Sequence, residues 1–124
     1  MGKAKLTESQ IQRQIVSMLS GIARENQFMF FSIPNENLAS KQDRKSAAIR
    51  MNKLKAMGLV PGASDLVVVH DGKAYFLEVK TPTGKQSENQ ENFMLWAEAS
   101  GSPYAIVRSH MDVIRALKAW GIVG

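Results

Sequence analysis

The chain of 124 residues contains no cysteine, only two histidines and no apolar stretch approaching the length of a membrane span. Without cysteine, neither a disulfide framework nor a cysteine-ligated zinc site is possible. The histidines, His70 and His110, are far apart and lack ligand-type spacing, so a histidine-based metal site is not expected. Residues 1–10 lack the apolar segment of a signal peptide. We therefore expect a cytoplasmic protein without a membrane partner.

Acidic residues are in the minority, with 11 Asp and Glu against 16 Lys and Arg, and the formal net charge is +5. This balance indicates an anionic partner, most commonly nucleic acid. The sequence shows no repeat, low-complexity tract or linker, so residues 1–124 are predicted to form a single domain. A phosphate-binding P-loop is absent, because Val79 stands where the first glycine before Gly84-Lys85 is required.

Hydrophobic periodicity and capping residues predict eight elements in the order α-β-α-β-β-α-β-α. Thr7 and Gln10 form a capping box at the start of the first helix, and Ser87 and Ser109 begin the last two. This order predicts an α/β fold in which helices pack against a mixed β-sheet. The remaining predictions are strands over 28–33 and 103–107, a basic helix over 44–57, and core positions for Trp96 and Trp120.

Residues 59–80, LVPGASDLVVVHDGKAYFLEVK, predict a β-hairpin. If Asp71 and Gly72 are the two turn residues, the register places Asp65 opposite Glu78. Lys80 projects from the same face, because side chains alternate along a strand. Like charges directly opposite each other are destabilising, and a bound divalent cation would compensate for them.

An ordinary polar end of a sheet is the alternative, with Lys80 in an ion pair with Glu78 or Asp65. The facing acids, the following Lys and the glycine-containing approach VPGAS together favour a metal site. Because carboxylates are hard oxygen ligands, Mg²⁺ or Mn²⁺ is expected rather than zinc.

The spacing of Asp65 from the triplet EVK (78–80) resembles the core of the PD-(D/E)XK nucleases. The wider pattern resembles the VRR-NUC family, the virus-type replication-repair nucleases. In the family pattern, an acid lies early in the first helix, a Gly-x-x-Pro-Gly segment leads to the Asp, and a helical Gln follows Glu-x-Lys. The corresponding residues here are Glu8, GLVPGASD (58–65) and Gln90. The resemblance runs from about residue 7 to 120.

Two positions match the family pattern less closely. Ser64 stands where many members carry a proline, which sets the backbone but supplies no ligand. Asn35-Glu36 resembles the family's Asn-containing loop only loosely.

The resemblance implies a restriction-endonuclease-like fold and metal-dependent cleavage of phosphodiester bonds. Asp65 and Glu78 would hold the metal, with the backbone carbonyl of Val79 as a third protein ligand. Lys80 would orient or deprotonate the attacking water. Stand-alone members are typically phage or prophage proteins, which would place this one in the host cytoplasm. Branched DNA such as a Holliday junction is the implied substrate, in replication, recombination or repair.

Glu8 and Gln90 are predicted to belong to the catalytic site, Glu8 in a metal-linked role and Gln90 in support, but each also has a purely structural interpretation. An acid in the first turn of a helix is stabilised by the helix dipole, although the spacing of Glu8 from Ile11 and Ile15 turns it inward toward the predicted site. Gln90 completes a capping box with Ser87, and its spacing also turns it inward.

The predicted basic helix has a face available for DNA phosphates, while Ala47, Met51 and Leu54 form its expected buried edge. A merely solvated helix face is the alternative. No aromatic residues are interleaved with the cations, so sequence-nonspecific contact is expected. The residues predicted to bind nucleic acid are Lys41, Arg44, Lys45, Arg50, Lys53 and Lys85.

The first functional hypothesis is therefore a metal-dependent, structure-selective DNA endonuclease. Resolving a junction requires two cuts and the chain has one predicted site, so a homodimer is expected. The alternative is a non-catalytic nucleic-acid-binding module that retains a nuclease fold. A restriction-like enzyme acting on linear DNA has no recognition domain to support it.

Overall fold

The computed structural model describes residues 5–34 and 44–124. The predicted order of elements is confirmed. No helix within these ranges is long and apolar enough to cross a membrane. The elements are α1 (Glu8–Ile22), β1 (Phe28–Ser32), α2 (Arg44–Ala56), β2 (Leu66–His70), β3 (Lys73–Val79), α3 (Glu88–Ala99), β4 (Tyr104–Val107) and α4 (His110–Ala119).

The four strands form one mixed sheet in the order β1-β2-β3-β4. β1 with β2 and β2 with β3 are antiparallel, whereas β3 and β4 are parallel. α3 makes the crossover that a parallel pair requires. The predicted mixed α/β fold is thus confirmed.

The hairpin register follows from the turn at Asp71 and Gly72. Both residues have positive φ, 50° and 76°, as a two-residue type I′ turn requires. His70 pairs with Lys73, as predicted. β2 begins only at Leu66, so Asp65 lies one residue outside the ladder rather than within a facing strand pair.

The main hydrophobic core lies on one face of the sheet, beneath α1 and α4. Each helix buries one stripe at helical spacing, which accounts for the removal of these side chains from water. The buried members are Ile11, Ile15 and Leu19 of α1, Val113 and Leu117 of α4, Phe28, Leu66, Val68, Tyr75, Leu77, Val79 and Val107 of the sheet, and Ile122 after α4.

α3 covers the opposite face. Phe93 of α3 packs edge-on against Phe76 with ring centroids 5.1 Å apart. The core position expected for Trp96 is wrong, because its side chain is 63% exposed. Trp96 falls at the margin of the inward stripe that contains Phe93 and Ala97. Trp120 is half-buried and stacks on Tyr75 at 5.0 Å.

The basic helix α2 has no fully buried residue. Ala47, Met51 and Leu54 are only half-buried, so the predicted buried edge is partly covered. The Asn35-Glu36 loop and Lys41 lie outside the described residues.

Candidate active site

The approach segment 58–65 is held directly against the first turn of α3. Gly62 has a φ of +79°, and a Cβ there would lie 2.3 Å from the backbone carbon of Asn89. Only glycine allows both this conformation and this close approach. Ser64 is fully buried, and its hydroxyl donates to the carbonyl of Leu66 at 3.1 Å. At Ser64, where the sequence departs from the family pattern it resembles, a hydrogen bond therefore restrains the backbone before Asp65.

Asp65 is tied to the strands on either side of β2. Its carbonyl accepts from the N–H of Ile33 at 2.9 Å, which continues the β1 ladder by one residue. Its Oδ2 accepts from the N–H of Val79 at 2.8 Å. The half-buried carboxylate is thereby held beside the end of β3, close to Glu78.

Glu78 is the most constrained acid of the site, with 1% of its surface exposed. Its Oε2 accepts from Nε2 of Gln90 at 3.1 Å and lies 3.7 Å from Nζ of Lys80. Its Oε1 is buried and has no hydrogen-bond partner within residues 5–34 and 44–124. A buried, unpaired carboxylate oxygen is costly, so this atom is suited to an external partner.

The surroundings of Glu78 disfavour an isolated negative charge. Burial, and then the charge of Asp65, raise the pKa of Glu78 to about 9. Lys80 opposes this rise, and the charge of Glu8 adds to it. Two nearby carboxyl groups in a poorly hydrated site require a shared proton or a cation.

Lys80 is buried at the end of β3, with 6% of its surface exposed. Its backbone N–H donates to the carbonyl of Val107 at 3.0 Å, which continues the pairing of β3 with β4. The ion pair with Glu78 that the alternative interpretation anticipated does form. It is buried rather than at an exposed sheet end, and it leaves Oε1 of Glu78 unpaired.

Gln90 makes a contact that fits each of the two interpretations considered for it. Its Oε1 accepts from the N–H of Ser87 at 2.9 Å, which closes the capping box of α3. Its Nε2 donates to Glu78 at the same time. Capping therefore fixes the amide in the orientation that presents its N–H to the carboxylate.

Glu8 is exposed at the start of α1, so the inward orientation expected for it is not observed. Its charge nevertheless contributes to raising the pKa of Glu78. No cluster of three or more His, Asp or Glu suited to a metal occurs among the described residues. Glu8 thus lies near the site without joining Asp65 and Glu78 as a third ligand.

A cleft of about 320 Å³ opens beside these groups. Asp65, Lys80 and Gln90 line it, and the exposed Lys85 extends into its wall. Among the predicted nucleic-acid-binding cations that lie within residues 44–124, only Lys85 lines this cleft. Arg44, Lys45, Arg50 and Lys53 lie on α2, whose C-terminus leads into the cleft wall at Leu59 and Val60.

Tyr104 and Gln86 also belong to the surroundings of the site, and sequence reasoning missed them. Nε2 of Gln86 donates to the Tyr104 hydroxyl at 3.2 Å. Burial, together with the charges of Glu78 and Asp65, raises the pKa of Tyr104. Tyr104 pairs with Phe76, two residues from Glu78, and only the parallel register of β3 with β4 reveals this proximity.

Comparison with known proteins identifies the family of this chain. The model of the VRR-NUC domain matches residues 6–111. The chain belongs to the VRR-NUC family. This is a nuclease-type family, and the resemblance drawn from the sequence is confirmed.

A solved structure described as a VRR_NUC domain protein has a TM-score of 0.64 to this chain at 15% identity. The match covers 94% of this chain and 89% of that one, so the two share a fold. No curated protein matches the chain.

Proposed function

We propose that this VRR-NUC protein is a metal-dependent, structure-selective DNA endonuclease. The observation that carries the proposal is the fully buried Glu78, which presents an unpaired oxygen beside Asp65. Lys80 lies against the same carboxylate, at the edge of a polar cleft. Two neighbouring acids and a buried lysine at an opening suit phosphodiester hydrolysis better than they suit stability.

The donor set fits Mg²⁺ or Mn²⁺. Asp65, Glu78 and the carbonyl of Val79 would hold the cation, and no histidine lines the cleft to favour zinc. Two carboxylates suffice, because Mg²⁺ keeps several waters and takes further oxygen ligands from substrate phosphates. When bound, the metal would lower the pKa of a water and stabilise charge on the phosphoryl oxygens.

The protein's own groups would orient the two carboxylates and the attacking water, and would offset the negative charge that develops. The N–H of Val79 holds the carboxylate of Asp65, and Gln90 holds that of Glu78. Lys80 would orient the attacking water and offset developing negative charge. Lys85 in the cleft wall, with the cations of α2, would contact neighbouring phosphates without reading sequence.

Branched DNA is the proposed substrate, and the family resemblance is what supports it. Two cuts at a Holliday junction by a chain with one site call for a homodimer, whose two-fold symmetry matches that of the junction. The role would lie in phage replication, recombination or repair. The alternative, a binding module without activity, gives no reason to keep Glu78 buried beside Asp65 and Lys80.

The test compares four-way, flap and linear duplex DNA, each incubated with the protein in Mg²⁺, Mn²⁺ and EDTA. We expect cleavage with either metal, preference for the four-way junction, and no cleavage in EDTA. Lys80→Ala is the matched control for a contaminating nuclease. DNA binding without cleavage under every condition would support the binding module instead.

A further inference from the structure

The segment that follows Lys80 forms a turn over residues 81–84. Arg108, the residue directly after β4, contacts both ends of this turn. Nη1 of Arg108 donates to the carbonyl oxygens of Thr81 and Gly84, the latter at 2.8 Å. The carbonyl of Thr81 also accepts from the N–H of Gly84 at 3.1 Å. One guanidinium nitrogen thus bridges both ends of the turn.

This turn packs against the side chain of Lys80. A Cβ built at Gly84 would lie 3.5 Å from Cδ of Lys80, so the backbone of Gly84 borders the aliphatic stem of the lysine. The backbone of Lys80 is held separately, through the carbonyl of Val107. Val107 therefore holds the main chain of Lys80, and the next residue, Arg108, holds the turn that borders its side chain.

Arg108 is itself anchored by the start of α4. Its backbone N–H donates to Oδ2 of Asp112 at 2.9 Å, and the N–H of Asp112 donates to the Ser109 cap at 3.2 Å. The guanidinium makes no salt bridge within the part of the chain that the structure describes. A half-buried charge directed at two neutral carbonyls on one turn is suited to holding that turn.

We propose that Arg108 is a positioning residue, which acts through the 81–84 turn to keep the Lys80 ammonium group beside Glu78 and facing the cleft. The positioning of Lys80 does not depend on the proposed nuclease function, whereas its effect on cleavage rests on that function. Two measurements keep these claims separate.

The first measurement needs no DNA. Acetylation of Lys80 by acetic anhydride is followed by mass spectrometry in wild type, Arg108→Ala and Arg115→Ala. Arg115 is the matched control, because it is exposed and contacts the same Asp112 without touching the turn. We expect Lys80 to react several-fold faster in Arg108→Ala and at the wild-type rate in Arg115→Ala. Equal rates in all three proteins would overturn the inference.

The second measurement is cleavage under single-turnover conditions, with DNA affinity determined separately in EDTA. A misplaced catalytic group costs about 10- to 100-fold in rate, so Arg108→Ala should lose this much with affinity unchanged. Free guanidinium ion at millimolar concentration should restore part of the rate in Arg108→Ala but none in Lys80→Ala. Weaker DNA affinity at an unchanged rate would overturn positioning in favour of a phosphate contact.

Melting curves of each variant establish that it is folded. Arg108→Lys keeps the charge but cannot reproduce the planar geometry of the guanidinium, and it replaces Arg108→Ala if that variant fails to fold. We expect faster acetylation of Lys80 there as well. A wild-type protein that cleaves no DNA would contradict the proposed function, and the acetylation rates would still decide the positioning role.

Discussion

Gln90 donates a 3.1 Å hydrogen bond from Nε2 to Oε2 of Glu78, while its other amide atom caps the helix that carries it. One side chain therefore joins the N-terminus of α3 to the buried acid of the candidate site. The stability of the helix start and the orientation of the carboxylate depend on the same amide.

Because of this linkage, Gln90→Ala should lower cleavage activity, whereas an equivalent substitution in another capping box should not. α1 has the same capping box, in which Gln10 accepts from the N–H of Thr7 at 2.9 Å with no link to the site. Each substitution to Ala should cost about 0.5–1.5 kcal/mol from the lost capping bond, measured by chemical denaturation. Only Gln90→Ala should also lower the rate of Mg²⁺-dependent cleavage. Equal cleavage rates in the two variants would mean that Gln90 is only a cap.

A second prediction concerns the contact between the approach segment and α3. Gly62→Ala should be severely destabilising, because the new methyl group would overlap the backbone of Asn89. Gly72→Ala is the matched control, since its φ of +76° is nearly the same and nothing lies within 4 Å. The positive φ alone costs about 1–2 kcal/mol, so Gly62→Ala should lose clearly more than Gly72→Ala in thermal unfolding. Similar losses of stability in the two variants would show that α3 shifts to accommodate the new methyl group at position 62.

Substitution of Lys80 should affect the rate of cleavage, whereas substitution of Lys85 should affect DNA binding, although both side chains line the cleft. Lys80→Ala removes the group beside Glu78, so cleavage should fall by about 10²- to 10⁴-fold with DNA affinity largely retained. Lys85→Ala removes an exposed cation, so it should weaken DNA binding and change the rate at saturating enzyme little. Single-turnover kinetics measure both effects. A near-normal rate for Lys80→Ala would reduce Lys80 to an ion-pair partner.

The cations of α2 are expected to contribute to the affinity of the protein for DNA. Neutralising Arg44, Lys45, Arg50 and Lys53 together should weaken binding to every form of DNA. Each lost phosphate contact should lower the log–log salt slope by about 0.9 for duplex DNA. The control neutralises four cations placed elsewhere on the molecule, Arg13, Lys73, Arg115 and Lys118. An unchanged slope in the α2 variant would place this helix away from the substrate.

Local rules were sufficient to predict the elements and the hairpin register. The Asp71-Gly72 turn leaves only one pairing for β2 and β3, and the capping boxes at Thr7 and Ser87 mark helix starts. The proximity of Asp65 to Glu78 follows from that register. These features depend on residues close in sequence, which is why periodicity and turn chemistry reveal them.

Features that depend on distant segments were not predicted. Tyr104 lies near the site, and Arg108 contacts the turn after Lys80, only because β4 lies parallel to β3, a pairing that no local pattern specifies. The exposure of Trp96 depends on how far α3 extends over the sheet, since apolar character alone does not bury a side chain at the margin of a stripe. The dual role of Gln90 required the position of α3 relative to Glu78.

Asp65→Asn tests whether Asp65 and Glu78 form a cation-binding pair, on which the proposed activity depends. Asn keeps an oxygen for the N–H of Val79, which lies 2.8 Å from Oδ2 of Asp65, but removes the charge facing Glu78. In EDTA the variant should therefore be at least as stable as wild type.

Melting temperatures of wild type and Asp65→Asn, measured in EDTA and in excess Mn²⁺, provide the most direct measurement. Mn²⁺ at about 100 times its dissociation constant should stabilise wild type by about 2.7 kcal/mol, and Asp65→Asn by clearly less. A variant that is less stable than wild type in EDTA, with Mn²⁺ changing neither melting temperature, would contradict the metal site.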